Sequence, residues 1–130
     1  MNFSSLKQVF PNIVSECPFS FRRHTTVGIG GNAPLGVDPK SSRELAQVVC
    51  FLRSEKIPYL ILGNGSNVLV SDKGFQGVAI CTRYADAVDM GKDGLSVEAE
   101  CGAGVSRVLA FAAKNGLGSL SFLAGIPATM

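Results

Sequence analysis

Histidine, paired cysteines, a dominant charge sign and a long apolar run are all scarce or missing in this 130-residue chain. His24 is the only histidine, and Cys17, Cys50, Cys81 and Cys101 form no C-x-x-C pair, so no metal site is expected. The thiols read as reduced and mostly buried, the usual state in a cytosolic protein. Twelve Lys and Arg stand against ten Asp and Glu, a net charge of +2, and Arg22-Arg23 is the only adjacent basic pair. Charges so scattered point away from a nucleic-acid face. The longest uncharged stretch, 115–130, is broken by Gly116, Gly118, Gly125 and Pro127, which argues against a membrane span. No basic segment followed by an apolar run opens the chain, so no leader is expected, and no G-x-x-x-x-G-K-[ST] loop occurs.

What is present is an ordinary globular balance, 46% apolar and 17% charged, enough for the core of one domain. Residues 3–10 read as a short helix ended by Pro11. Phe19-Ser-Phe21, 25–31 and 33–37 read as strands, the second running into a glycine turn. Ser41 and Glu44 form an S-x-x-E capping box, and Leu45, Val48, Val49 and Leu52 fall at i, i+3, i+4 and i+7. Together they predict an amphipathic helix that ends between Arg53 and Pro58. Strands are expected at 59–62, 68–70, 78–81, 87–90 and 95–100, with a turn at 72–74. A second helix over 105–115 carries an apolar face of Val105, Val108, Leu109 and Ala112 and stops at Gly116. This order gives an α+β fold with a mixed sheet rather than regular βαβ alternation.

Three glycine clusters decide which ligand chemistry is open. Gly28-x-Gly30-x-x-Ala33 matches a dinucleotide fingerprint on paper, but Pro34 and a β-like run follow where the fingerprint needs a helix. Gly102-x-Gly104 does precede a helix, yet Arg107 is too large for the third position. No Asp or Glu follows Cys101 to hold a ribose hydroxyl. Gly63-Asn-Gly-Ser-Asn67 lies between two apparent strands, so no helix dipole is available to it. Two glycines can turn successive N–H groups toward one point, a nest for phosphate oxygens, and Ser66, Asn64 and Asn67 add side-chain donors. Gly65 is expected to tolerate no side chain, because a Cβ would meet the phosphates or forbid a positive φ. Gly36, in an ordinary strand position, is expected to accept alanine.

In sequence, Thr25-Thr-Val-Gly-Ile-Gly-Gly31, Leu62-Gly-Asn-Gly-Ser-Asn-Val-Leu-Val70, Gly74-Phe-Gln-Gly-Val78, Gly102-Ala-Gly104 and Gly116-Leu-Gly-Ser-Leu-Ser-Phe-Leu-Ala-Gly-Ile-Pro-Ala-Thr129 resemble the motifs of UDP-N-acetylenolpyruvoylglucosamine reductases. The likeness runs from about residue 19 to the end, and it departs at His24, where that family usually has Asn, and in stopping where the family's sequence continues.

The resemblance implies an α+β FAD-binding domain of the vanillyl-alcohol-oxidase (PCMH) type with two α+β lobes, the first about 1–82 and the second starting about 83. The domain is expected to be C-terminally truncated, with the substrate-binding domain absent. Hydride would pass from NADPH to noncovalent FAD and on to the enolpyruvyl group of UDP-N-acetylglucosamine enolpyruvate. Gly63, Asn64, Gly65, Ser66 and Asn67 would hold the pyrophosphate. Gly102, Gly104, Gly125, Ile126, Pro127 and Thr129 would line the ribityl and ring region. No catalytic residue is assigned here, and these residues by themselves are expected to be inactive. The complete protein is expected to be a cytoplasmic monomer acting on a nucleotide-sugar, with no nucleic-acid or membrane partner. Another FAD-dependent oxidase or dehydrogenase of the same fold, or a non-catalytic flavin-binding fragment, are the alternatives.

Overall fold

Val-Ala-Ile-Cys at 78–81 is apolar at every position, and all four residues are buried, as a strand covered on both faces requires. Around it the computed structural model, which describes residues 3–130, places the remaining elements. In chain order these are α1 (Ser4–Val9), β1 (Val14–Glu16), β2 (Phe19–Ser20), α2 (Phe21–His24), β3 (Asn32–Ala33), β4 (Leu35–Val37), α3 (Ser42–Ser54), β5 (Tyr59–Leu62), β6 (Val78–Cys81), β7 (Val88–Met90), β8 (Val97–Ala99) and α4 (Val105–Lys114). A 3-10 helix, Gly118–Leu123, follows. Four strands make one mixed sheet in the order β1-β4-β6-β5, with β4, β6 and β5 parallel and β1 antiparallel. β2–β3 and β7–β8 are separate antiparallel pairs.

Alternation along β4 and β6 sorts the core into two layers. Leu35, Val37, Val78 and Ile80 pack with Leu6, Val48 and Leu52, so α1 and α3 cover one face. Ala79, Cys81 and Leu62 pack with Phe19, Phe21 and Ala33 on the other. Each fully buried Leu, Ile or Phe contributes about 1.5–3 kcal/mol. The start of α3 follows its cap: the Glu44 N–H donates to Ser41 Oγ at 3.2 Å, and the Glu44 carboxylate accepts from the Lys40 N–H at 2.6 Å. The end of α4 is a Schellman turn, with Leu117 N–H to the Ala112 carbonyl at 2.9 Å, Gly116 N–H to Ala113 at 3.1 Å, and Gly116 at φ 75. Among the described residues, no helix is long and apolar enough to cross a membrane.

Several expectations are corrected. Residues 25–31 form no strand, because Gly28 and Gly30 take φ of 70 and 113, values that break an extended ladder. The run 33–37 is split at Pro34, which has no N–H to donate, and its halves pair with different strands, β2 and β1/β6. Phe21 opens the short helix α2 instead of ending a strand. Residues 68–70 leave the 63–67 loop without joining a sheet, although Val68 and Val70 pack onto the core. Of the cysteines only Cys81 is buried; Cys17 and Cys50 are exposed, Cys50 because it lies on the solvent side of α3.

Gly36 is not an ordinary strand position. It sits opposite Ala79 on the face that receives the Phe19 ring, and a Cβ there would overlap that ring. Phe19 is fully buried and has nowhere to retreat. Gly36→Ala is therefore expected to cost about 1–3 kcal/mol. Gly118→Ala, whose Cβ would meet open space, should stay within about 0.5 kcal/mol of the parent. Urea unfolding of the two variants checks this, and equal midpoints would contradict it.

Candidate functional site

Parallel pairing brings the carboxyl ends of β4, β6 and β5 to one edge of the sheet. The chain beyond them supplies Asp38, Thr82-Arg83 and Gly63 respectively. Ligands of open parallel sheets bind in the crevice outside such ends. The Thr82 N–H donates to the Leu62 carbonyl at 3.1 Å and carries the β5–β6 pairing one step further, which holds Arg83 close to the 63–67 loop.

In that loop Gly65 is buried at φ 65, with its missing side chain backed against the His24 carbonyl and Thr25. Its carbonyl accepts from the Thr26 N–H at 3.0 Å, which ties the loop to the 25–31 segment. Among the described residues, the N–H groups of 63–67 find no acceptor, and the side chains of Asn64, Ser66 and Asn67 make no hydrogen bond. A left-handed glycine among successive unpaired N–H groups is the geometry of an anion nest.

The chain end supplies the opposite wall. Gly125, at φ 86, turns the backbone after the 3-10 helix. The Val105 N–H then donates to Ala128 at 3.0 Å, Met130 N–H to Ala103 at 3.0 Å, and Gly104 bridges Thr129. Thr129 Oγ1 consequently lies over Gly63, in space that a Cβ would fill. The result is three adjoining cavities. One of about 270 Å³ is lined by residues 63–68 with Ala128 and Thr129. A second, about 520 Å³, joins Asn64 to Gly104, Leu109 and the 123–128 turn, including Gly125, Ile126 and Pro127. A third, about 330 Å³, joins Gly63 and Asn64 to Arg23, His24, Cys81 and Arg83. Asn64 lines all three.

Of the residues expected from sequence, Gly63–Asn67, Gly104, Gly125, Ile126, Pro127 and Thr129 thus border these cavities, which share Asn64. Gly102 lines none of the three. It is buried in the turn before α4, where a Cβ would run into the Thr82 carbonyl, so close packing accounts for this glycine. Arg83, Cys81 and the His24 region carried no sequence signal, because only strand pairing makes them neighbours of the loop.

His24 is half-buried at the end of α2 rather than a free surface or strand-end side chain. Its ring stacks on Phe19 at 4.3 Å between centroids. Nε2 lies 3.0 Å from Glu16 Oε2, and Nδ1 lies 3.2 Å from Arg83 Nη2. A guanidinium can only donate, so Nδ1 accepts and Nε2 carries the proton toward Glu16. Burial lowers the pKa of His24 below 6.5, and the Arg83 and Arg23 cations push the same way, against the Asp38 carboxylate. The unfolded chain then binds more protons near pH 6, so stability is complete above 6.5 and falls as pH drops through the folded pKa. Nitrogen-detected NMR should report the Nε2–H tautomer and a midpoint below 6.5, and a midpoint above 6.5 would contradict the arrangement. Cys81, at the back of the same cavity, has its thiol pKa pushed up by burial to about 11 and is not a nucleophile at neutral pH.

Residues 33–130 match the family described as FAD binding domain. A UDP-N-acetylenolpyruvoylglucosamine reductase of Caldicellulosiruptor bescii is 44% identical over 109 residues, covering 84% of this chain and 34% of its own length. The enzyme of that name from Moorella thermoacetica is 44% identical over 108 residues, 83% of this chain and 35% of its own. The solved UDP-N-acetylenolpyruvylglucosamine reductase of Thermus caldophilus superposes with a TM-score of 0.61 at 27% identity, over 89% of this chain and 40% of its own. An alkyldihydroxyacetonephosphate synthase shares the fold, with a TM-score of 0.54 at 21% identity over 68% of this chain and 17% of its own. The chain spans about a third of the length of the curated relatives it matches.

Proposed function

This chain belongs to the FAD binding domain family, with the fold of the vanillyl-alcohol-oxidase type, and on that premise we propose that it is the flavin-holding part of an NADPH-dependent reductase that converts UDP-N-acetylglucosamine enolpyruvate to UDP-N-acetylmuramate. The substrate follows from the printed names of the relatives that cover most of it. The observation that carries the cofactor reading is the 63–67 loop, whose N–H groups have no acceptor among the described residues and which faces Thr129 across a small cavity. These residues fit a diphosphate: donors from backbone N–H groups, the Ser66 hydroxyl and the Asn amides, no carboxylate among them, and glycines where backbone must come close.

When bound, FAD supplies the hydride exchange between the nicotinamide and the enolpyruvyl double bond. The chain's own part is to hold and orient. Backbone N–H groups of 63–67, the Ser66 hydroxyl and the Asn64 and Asn67 amides would hold the diphosphate. Gly104, Gly125, Ile126 and Pro127 would wall the larger cavity and keep water from the apolar part of the cofactor. No residue here takes the proton-donating role. That role would fall to the part of the relatives' length outside the match, about two thirds of it. Residues up to about 82 would form one lobe, since both core clusters draw on residues no later than Cys81, and a second lobe would begin near 83. The whole enzyme would be a cytoplasmic monomer acting on a nucleotide-sugar, without nucleic-acid or membrane partners. Four free thiols suit such a reducing compartment.

The complete protein, purified, is expected to be yellow, to oxidise NADPH only when the enolpyruvyl nucleotide-sugar is added, and to release its FAD to the supernatant on acid precipitation. Flavin that stays with the pellet would overturn noncovalent binding. A colourless protein that added FAD does not quench would overturn the cofactor assignment itself.

A further inference from the structure

The 63–67 loop offers dipoles but no charge, whereas a diphosphate carries a negative charge on each phosphorus. The cavity that continues from Gly63 and Asn64 is lined by two cations, Arg23 and Arg83. Their carboxylate partners, Glu16 and Asp38, are not among its lining residues. Arg23 is the weaker candidate: its Nη2 is engaged in a close ion pair with Glu16, and its side chain is 68% exposed.

We propose that Arg83 is a second holder of the cofactor's diphosphate, a cation fixed at the edge of the 63–67 loop by Asp38 on one side and His24 on the other. This inference rests on the FAD reading above and deepens it. The Arg83 guanidinium places Nε 3.5 Å from Asp38 Oδ2 and Nη2 3.2 Å from His24 Nδ1. The guanidinium also meets the Cys81 thiol at the back of the cavity, but among the described residues no nitrogen or oxygen accepts from Nη1, which leaves that donor for an anion. Asp38 is buried at the end of β4 and its Oδ1 has no partner. A carboxylate held rigidly in the sheet edge anchors the guanidinium there.

The chemistry of the second support matters more. A neutral imidazole orients the guanidinium through Nδ1 without cancelling its charge, whereas a second carboxylate would have neutralised it. His24 and Asp38 are thus positioning residues, and Arg83 is the group that touches the ligand. The same cation would suit the phosphate of a nucleotide or the carboxylate of an enolpyruvyl group, so the test must separate these from the FAD diphosphate.

The apoprotein of the complete enzyme, as wild type, Arg83→Met and Arg83→Lys, is titrated with FAD and with riboflavin, which has no phosphate, at several salt concentrations. Arg83→Met is expected to weaken FAD about tenfold or more, to leave riboflavin unchanged and to flatten the salt dependence of FAD affinity. Arg83→Lys should keep that salt dependence with an intermediate affinity. Three results would overturn the proposal: FAD affinity of Arg83→Met equal to wild type, equal weakening of FAD and riboflavin, or unchanged FAD affinity with a raised KM for NADPH or the nucleotide-sugar. Wild-type protein that binds no FAD would bring down the cofactor reading itself, a result distinct from these.

Discussion

Asn64→Asp is expected to weaken FAD binding about tenfold or more while leaving the unfolding midpoint where it was. Asn64 is exposed and its amide has no hydrogen-bond partner among the described residues, so the fold has no stake in it. It also lines all three cavities of the site, where an added carboxylate would face the diphosphate. Aspartate has nearly the same shape, so the change is one of charge and of lost N–H donors. Two like charges about 4 Å apart repel by about 4 kcal/mol at an effective dielectric constant of 20. Solvent exposure and salt reduce that to about 1–2 kcal/mol, which is still roughly tenfold in affinity. Fluorescence quenching of FAD and of riboflavin in the apoprotein reads it. Equal loss for both ligands, or none for FAD, would mean that the loop does not hold a diphosphate.

The second large effect is one of fold. Gly65→Val is expected to destabilise the protein by about 3 kcal/mol or more, a large share of the 5–15 kcal/mol of a typical domain. Two causes act together. The backbone sits at φ 65, where a β-branched residue is strained, and the Cβ would overlap the His24 carbonyl and crowd Thr25. The sequence anticipated that no side chain fits at Gly65, and the positive φ agrees. The obstacle the structure supplies is the protein's own backbone, so loss of FAD binding in this variant would report unfolding rather than phosphate contact. Urea denaturation and circular dichroism check it, and a Gly65→Val protein as stable as the parent would show that the loop is not packed onto 24–25 as described.

Local signals transmitted well where local chemistry controls the outcome. Ser41 and Glu44 cap α3, Val48 and Leu52 bury its apolar face, and Gly116 closes α4, because caps and helical periodicity act within a few residues. Extended segments were less legible. Whether 25–31 or 68–70 joins a sheet depends on partners far along the chain, and in neither segment is a sheet partner present. Gly36 looked replaceable because nothing near it in sequence announces that Phe19 will occupy its missing side chain.

By itself, then, the sequence determined the α+β class, the helices α1, α3 and α4, and the glycine loop at 63–67, each a matter of residue type and short spacing. Only the tertiary structure decided that Thr129 closes over Gly63, that Gly102 is packed against Thr82 outside the three cavities, and that Arg83 stands beside the loop with Asp38 and His24 at its sides. The reason is physical. Parallel pairing of β4, β6 and β5 sets the ends of distant segments side by side, and no periodicity within one segment records which others it will meet.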